Sequence, residues 1–253
     1  MARTNAITAP LSLLFLAGSI VLLFFVILSG VKHTSPLRQT YFLSADTSGI
    51  SGARDVSQWT FFHICGRDNT DCGRAFPDPP VGWAWSGKPT GDNLPEHLIG
   101  SYGGNTTSSY YFYMWRFGWV FYLIALFFTV VAFFTGFFAC CGRLGAAIAG
   151  LTTFVALFFL SIAASLMTAT FIKMRDLFHS AGRDASIGKY AFGFTWGAWA
   201  ALFIAAVLFC TGIRGRKDDY SPSTSRFNWG RKRSTRSRRS FDMGSRRVKE
   251  DYA

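Results

Sequence analysis

Four long windows of this chain contain no Asp, Glu, Lys, Arg or His: 4–31, 117–142, 144–172 and 190–213. Each exceeds the roughly 20 residues that a helix needs to cross a hydrocarbon core about 30 Å thick. Half of the 253 residues are hydrophobic and only 16 % are charged, against about 25 % in an ordinary soluble domain. The expected fold is therefore an all-α membrane protein with a bundle of four transmembrane helices. The first window invites a second reading as a secretory signal. Its apolar run from Leu11 to Leu28 outlasts an h-region of about 7 to 15 residues, and no clear A-x-A site follows, so a retained helix is expected.

Between these windows the segments are unequal. The expected plan is 1–31 as cytoplasmic N-terminus and first span, 32–115 as a large outer loop, 116–142 as the second span, 143–172 as a short inner link and the third span, 173–189 as a second outer loop, 190–213 as the fourth span and 214–253 as a cytoplasmic polybasic tail. The tail holds 13 of the 26 Lys+Arg, and positive segments resist translocation. Lys173, Arg175, Arg183 and Lys189 in the second outer loop oppose that orientation. Two features of the first loop support it. Asn105-Thr106-Thr107 is a glycosylation sequon, and Cys65 and Cys72 can pair in an oxidising compartment. Such a disulfide stabilises by roughly 2 to 4 kcal/mol. Trp115, Trp119, Trp196 and Trp199 are expected near the outer interface.

In the first loop, turn-rich patches alternate with β-prone stretches, and the candidate strands are 38–44, 57–65 and 108–113. A small extracellular β-sheet module is the expected result. The tail, rich in Ser, Arg and Gly, lacks the apolar surface to offset its ordering entropy and is expected to be disordered.

Each candidate site has two readings. His63 beside Cys65 suggests zinc, but four ligands are needed and no second C-x2-C or H-x3-H pair is present; no metal and no cofactor are expected. Gly193, Gly197, Ala201 and Ala205 recur every fourth residue, a stripe that serves either packing within the bundle or lateral self-association. Arg231, Lys232, Arg233, Arg236, Arg238 and Arg239 lie close to Phe227 and Trp229. This run reads either as a site for anionic inner-leaflet lipids, at about 1 kcal/mol per cation, or as a topology signal; four spans hold it at a bilayer, so nucleic acid is not the expected partner. Cys140, Cys141 and Cys210 are juxtamembrane thiols, suited to palmitoylation and to sterol-rich membrane, or else buried small side chains. No Asp, Glu, Lys, Arg or His lies within the four windows, which disfavours proton-coupled transport. No G-x-S-x-G, H-E-x-x-H or Walker loop occurs, and no enzyme is expected.

The layout resembles the claudin-like superfamily, although the G-L-W-x2-C pattern of claudins is absent. It is more similar to the fungal Sur/PalI family of plasma-membrane tetraspans. The resemblance rests on Trp59, Cys65, Gly66 and Cys72 and on the run from Tyr110 through Arg116 to Leu123. It implies residence in eisosome-type compartments, with roles in membrane-domain organisation, cell-wall integrity and endocytosis, and with self-association or eisosome proteins as partners. The PalI branch implies instead an accessory subunit of ambient-pH signalling.

Overall fold

The computed structural model describes residues 2–32, 34–85, 95–139 and 143–214. These belong to a compact unit, Met1–Lys217. Four long helices dominate it: α1 (Ala2–Ile27), α2 (Ser109–Ala139), α3 (Arg143–Ser180) and α4 (Lys189–Arg214). All four are long and apolar enough to cross a membrane.

The helices outrun the charge-free windows. A charge ends the stretch that hydrocarbon favours, but it does not break a helix. Arg116 therefore sits two turns inside α2, and Lys173, Arg175 and Asp176 ride on the last turns of α3. At 1.5 Å per residue the 38 residues of α3 measure about 57 Å, so one end of the bundle projects well past the bilayer core.

Buried positions on each helix alternate at spacings of four and three. On α1 they are Ser12, Leu16, Ser19, Leu23 and Val26; on α4 they are Ala191, Thr195, Ala198, Leu202, Ala205 and Phe209. α3 repeats the pattern from Ala149 through Ala156 and Ala163 to Thr170. This 3.5-residue repeat belongs to helices packed at a shallow left-handed angle. Small side chains on the seams let backbones approach closely, which matters where lipid removes the hydrophobic drive for association. Buried hydroxyls tie helix to helix: Ser19 Oγ donates to the Ala198 carbonyl (3.1 Å), Trp199 Nε1 donates to Ser161 Oγ (2.8 Å), and Tyr122 and Thr195 share a hydrogen bond of 2.5 Å. Phe127, Phe134, Phe154 and Phe203 face outward, where lipid would lie.

A four-stranded antiparallel sheet covers one end of the bundle, in the order β3-β2-β1-β4. Its strands are β1 (Leu43–Asp46), β2 (Val56–Trp59), β3 (Ile64–Cys65) and β4 (Ala185–Ile187). Leu43 lies opposite both Trp59 and Ile187, and these apolar residues alternate with Ser44, Gln58 and Ser186 along the strands. The sheet is not confined to the first loop, where it is expected: β4 comes from the segment between α3 and α4. Gly188 follows β4 where a Cβ would overlap the Tyr41 carbonyl, so the close approach requires glycine.

The expected strand at 108–113 is also corrected: apart from Ser108, whose carbonyl caps the turn, these residues are the opening turns of α2, with the Phe112 N–H donating to the Ser108 carbonyl. Consecutive tyrosines and phenylalanines favour strands when read locally. Here helical spacing buries Tyr111 and Trp115 on one face, and tertiary packing decides. The strand expected at 38–44 is shorter, because Leu37–Gln39 form a single 3-10 turn.

Candidate functional site

The residues that carried the family resemblance converge on the sheet-covered end. Cys65 at the end of β3 is bonded to Cys72. The enclosed loop folds back over the polar face of the sheet and delivers Asn69, which is fully buried. Its backbone N–H donates to Gln58 Oε1 (2.9 Å), and its Nδ2 donates to the carbonyls of Leu37 (3.0 Å) and Thr40 (2.9 Å). Asn69 adopts φ 51°, a left-handed conformation that asparagine tolerates better than most residues. At the rim, Arg38 pairs with Asp68 (3.0 Å) and Arg54 with Asp71 (2.7 Å); exposed pairs of this kind contribute about 1 kcal/mol or less.

His63 shares a hydrogen bond of 2.9 Å between Nδ1 and the Gly73 carbonyl. Among the described residues no group of three His, Cys, Asp or Glu gathers as metal ligands. The Gly66 N–H closes the loop on the Thr70 carbonyl (2.7 Å). Closing a ring of eight residues removes about 2.5 kcal/mol of unfolded-chain entropy. Cys65→Ser with Cys72→Ser is accordingly expected to destabilise the cap by about that amount, read as earlier tryptic cleavage at Arg54 and Arg67 in the detergent-solubilised chain.

Trp59 anchors the sheet to the helices. Its indole is buried, Nε1 donates to the Val81 carbonyl (3.1 Å), and its ring lies 5.9 Å from that of Phe178 on α3. Beside it, Phe42 stacks on Phe171 (5.1 Å) and meets Phe61 edge-on (4.7 Å), while Phe61 meets Tyr122 and Trp115 meets Phe171, both at 5.1 Å. Rings from the sheet segments, α2 and α3 thus form one aromatic core, with each contact worth about 0.5–1.5 kcal/mol beyond the area it buries. Trp115 is buried in this core, whereas Trp196 is exposed.

Arg116 ties α2 to the cap. Its Nε donates to Asp78 Oδ2 (3.1 Å), and its guanidinium lies 4.3 Å from the centre of the Phe112 ring. Asp78 is 5 % exposed, and its Oδ1 has no partner. Burial pushes its carboxyl up to about 6, against the hydrogen bond and charge of Arg116 that act to lower it. By contrast, hydrogen bonds from Ser48 hold Asp46 below its ordinary value.

The other predicted residues are scattered. Asn105 is exposed in a tight turn, while Thr106 and Thr107 of the same sequon are buried. On α4, Gly193 faces open space, Gly197 lies opposite Leu22 of α1, Ala201 is half-buried and Ala205 is buried. Cys210 is exposed. Cys140, Cys141 and the basic run at Arg231, Lys232, Arg233, Arg236, Arg238 and Arg239 lie outside the described residues. Sequence reasoning missed Asn69, Asp78 and Phe42. The only available signal was an arginine at the head of a span, Arg116, with no acidic residue nearby in its own helix.

The profile of the SUR7/PalI family matches residues 8–208. Protein SUR7 of Candida albicans is 35 % identical over 205 residues, covering 79 % of this chain and 72 % of that protein. The SUR7 family protein FMP45 of Saccharomyces cerevisiae is 32 % identical over 77 % of this chain and 62 % of its own length. An uncharacterized plasma membrane protein of the same yeast is 30 % identical over 79 % of this chain and 66 % of its own. The chain thus spans about two thirds of the length of these relatives. With four apolar helices under a disulfide-braced sheet and a family match over 8–208, this chain belongs to the SUR7/PalI family.

Proposed function

We propose that this protein is a non-enzymatic plasma-membrane tetraspan that organises a lateral membrane domain of the eisosome type, supporting cell-wall integrity and endocytosis. The sheet-covered end faces outside and both termini face the cytoplasm. The observation that carries this reading is the fusion of both segments at that end into one sheet, locked to the helices by the Phe42–Phe171–Trp115 aromatic core. Such a body is rigid and presents an apolar belt to lipid, which suits lateral assembly with copies of itself and with eisosome proteins. The absence of Asp, Glu, Lys, Arg and His from the windows 117–142, 144–172 and 190–213 fits a scaffold better than a transporter. Two further handles complete the reading: the polybasic run, which attracts anionic inner-leaflet lipids, and juxtamembrane thiols that favour sterol-rich membrane once acylated.

Fluorescence recovery after photobleaching of the tagged full chain in yeast tests the proposal. The expected result is stable cortical patches with little exchange over minutes. Replacing the six cations Arg231, Lys232, Arg233, Arg236, Arg238 and Arg239 by Gln is expected to shorten patch residence several-fold. A diffuse signal that recovers within seconds would defeat the organiser reading. Purification with a single stoichiometric multi-span receptor would favour the accessory role that PalI suggests.

A further inference from the structure

Among the described residues outside the four helices, Trp83 is the only exposed tryptophan, at 44 %. It is nevertheless held firmly. It sits on a 3-10 turn, Val81–Ala84, whose other members are buried. Its Nε1 donates to the Gly103 carbonyl at 3.0 Å, and its ring centre lies 5.0 Å from that of Phe76, itself 37 % exposed. This fixed pair of aromatic faces leaves apolar surface exposed on the cap.

Gly103 belongs to the turn that carries the sequon. Gly103, Gly104 and Asn105 all adopt positive φ, at 61°, 81° and 63°, which folds the turn tightly and leaves Asn105 exposed. Two residues of even fully extended chain reach no more than about 7 Å, so Asn105 stays close to the indole. The two segments are also pinned together, since the Gly82 N–H donates to Thr107 Oγ1 (2.9 Å) and Thr106 Oγ1 donates to the Gly103 carbonyl (2.9 Å). Both sequon threonines are buried. The hydroxyl that makes the sequon an acceptor is thus consumed by folding, and a glycan has to be attached before the cap closes.

We propose that Trp83, backed by Phe76, is the docking face for the first N-acetylglucosamine of a glycan on Asn105. This rests on the reading that the sheet-covered end faces the secretory lumen. A pyranose ring presents one face of C–H groups and a polar rim, and the former packs on an aromatic face while the latter stays in water. The indole N–H is already engaged by Gly103, so recognition is by stacking. The sugar covers the exposed rings and thereby stabilises the packing of the 81–84 turn against the sequon turn.

Two enzymes applied to the full-length chain, purified from yeast in detergent, separate the first sugar from the rest. An endoglycosidase that cuts between the two core N-acetylglucosamines leaves the first sugar in place, and an amidase removes the whole glycan. Trimming is expected to leave the thermal midpoint unchanged, whereas complete removal lowers it by about 2–4 °C. In Trp83→Leu, complete removal is expected to have no further effect, as a double-mutant cycle requires of coupled groups. If Trp83→Leu does not fold, the contrast between the two enzymes on the natural chain still decides. No mobility shift with either enzyme means an unused sequon, and both the docking and the orientation evidence drawn from it fall. A shift without loss of midpoint on complete removal, or the same loss in Trp83→Leu, overturns the docking alone.

Discussion

Asn69→Leu is expected to open the cap, at a cost of about 4 kcal/mol. The replacement matches the side chain in size but removes both Nδ2 donors. The carbonyls of Leu37 and Thr40 then lose partners that they hold at 3.0 and 2.9 Å. The Leu37 carbonyl still accepts from the Thr40 N–H (3.2 Å), but the buried Thr40 carbonyl is left unmatched at about 1–3 kcal/mol, and a left-handed backbone adds roughly 1–2 kcal/mol for a residue such as leucine. About 4 kcal/mol corresponds to a roughly thousandfold rise in the open population, which proteolysis follows when opening is fast relative to cleavage. The measurement is the tryptic cleavage rate at Arg54, Arg67 and Arg74 in the solubilised chain. Asn69→Asp keeps the shape and tolerates the backbone but again lacks the donors, so it should cost nearly as much. Asp71→Asn removes only the charge of an exposed ion-pair partner and suits the same left-handed backbone (φ 47°), so it should change the rate several-fold at most. Cleavage of Asn69→Leu no faster than that of Asp71→Asn would show that the buried amide is not what seals the loop to the sheet.

The second large effect concerns pH. Asp78 has its carboxyl raised from an ordinary 3.8 to about 6, so the folded chain binds this proton more tightly than the unfolded chain. The contribution to stability is complete below about pH 4 and is lost as pH rises through about 6. Over that range of about two pH units it amounts to about 3 kcal/mol, with roughly half already present at pH 5. The cap should therefore become more stable on mild acidification, with a thermal midpoint about 3–6 °C higher at pH 5 than at pH 7.5. Asp46 acts in the opposite sense, because its carboxyl is lowered and its contribution fades as pH falls through its folded value. Comparing the natural chain with Asp78→Asn isolates the Asp78 share. The amide does not titrate, so the variant should lack this rise and should be no less stable than the natural chain at pH 7.5. A rise of equal size in Asp78→Asn would place its origin in another group.

Much of the cap was legible from local patterns, and its seals were not. Cys65 and Cys72 stand close enough in sequence to pair, and they do; β1 overlaps the strand expected at 38–44, while the one expected at 57–65 is instead two, β2 and β3, turned back on each other after Trp59. Asp68 and Asp71 are exposed turn residues, each with an arginine partner. Asn69 lies between them with the same turn propensity, yet it is the buried residue of the three. Its partners lie 11, 29 and 32 residues away, and no spacing rule reaches that far. The same holds for Asp78 and Arg116, 38 residues apart, and for Tyr110 to Tyr113, whose strand propensity yields to helical continuity with the span below.

Local physics sufficed for the spans. Hydrocarbon tests each helix separately for length and freedom from charge, and that test can be run on the amino-acid order alone. It identifies four helices and leaves the polar connections to fold at the ends. The arrangement of those helices required the tertiary structure, because lipid and bundle interior are equally apolar. Phe127 toward lipid and Ala125 on the seam pass the same hydrophobicity test, so composition does not mark which face is inside. The 3.5-residue seam emerges only once small residues and hydroxyls on one helix find their counterparts on another. Recruitment of Ala185–Ile187 into the sheet depends likewise on α3 and α4 delivering that segment beside β1, a proximity set by the packed bundle and absent from the strand's own three residues.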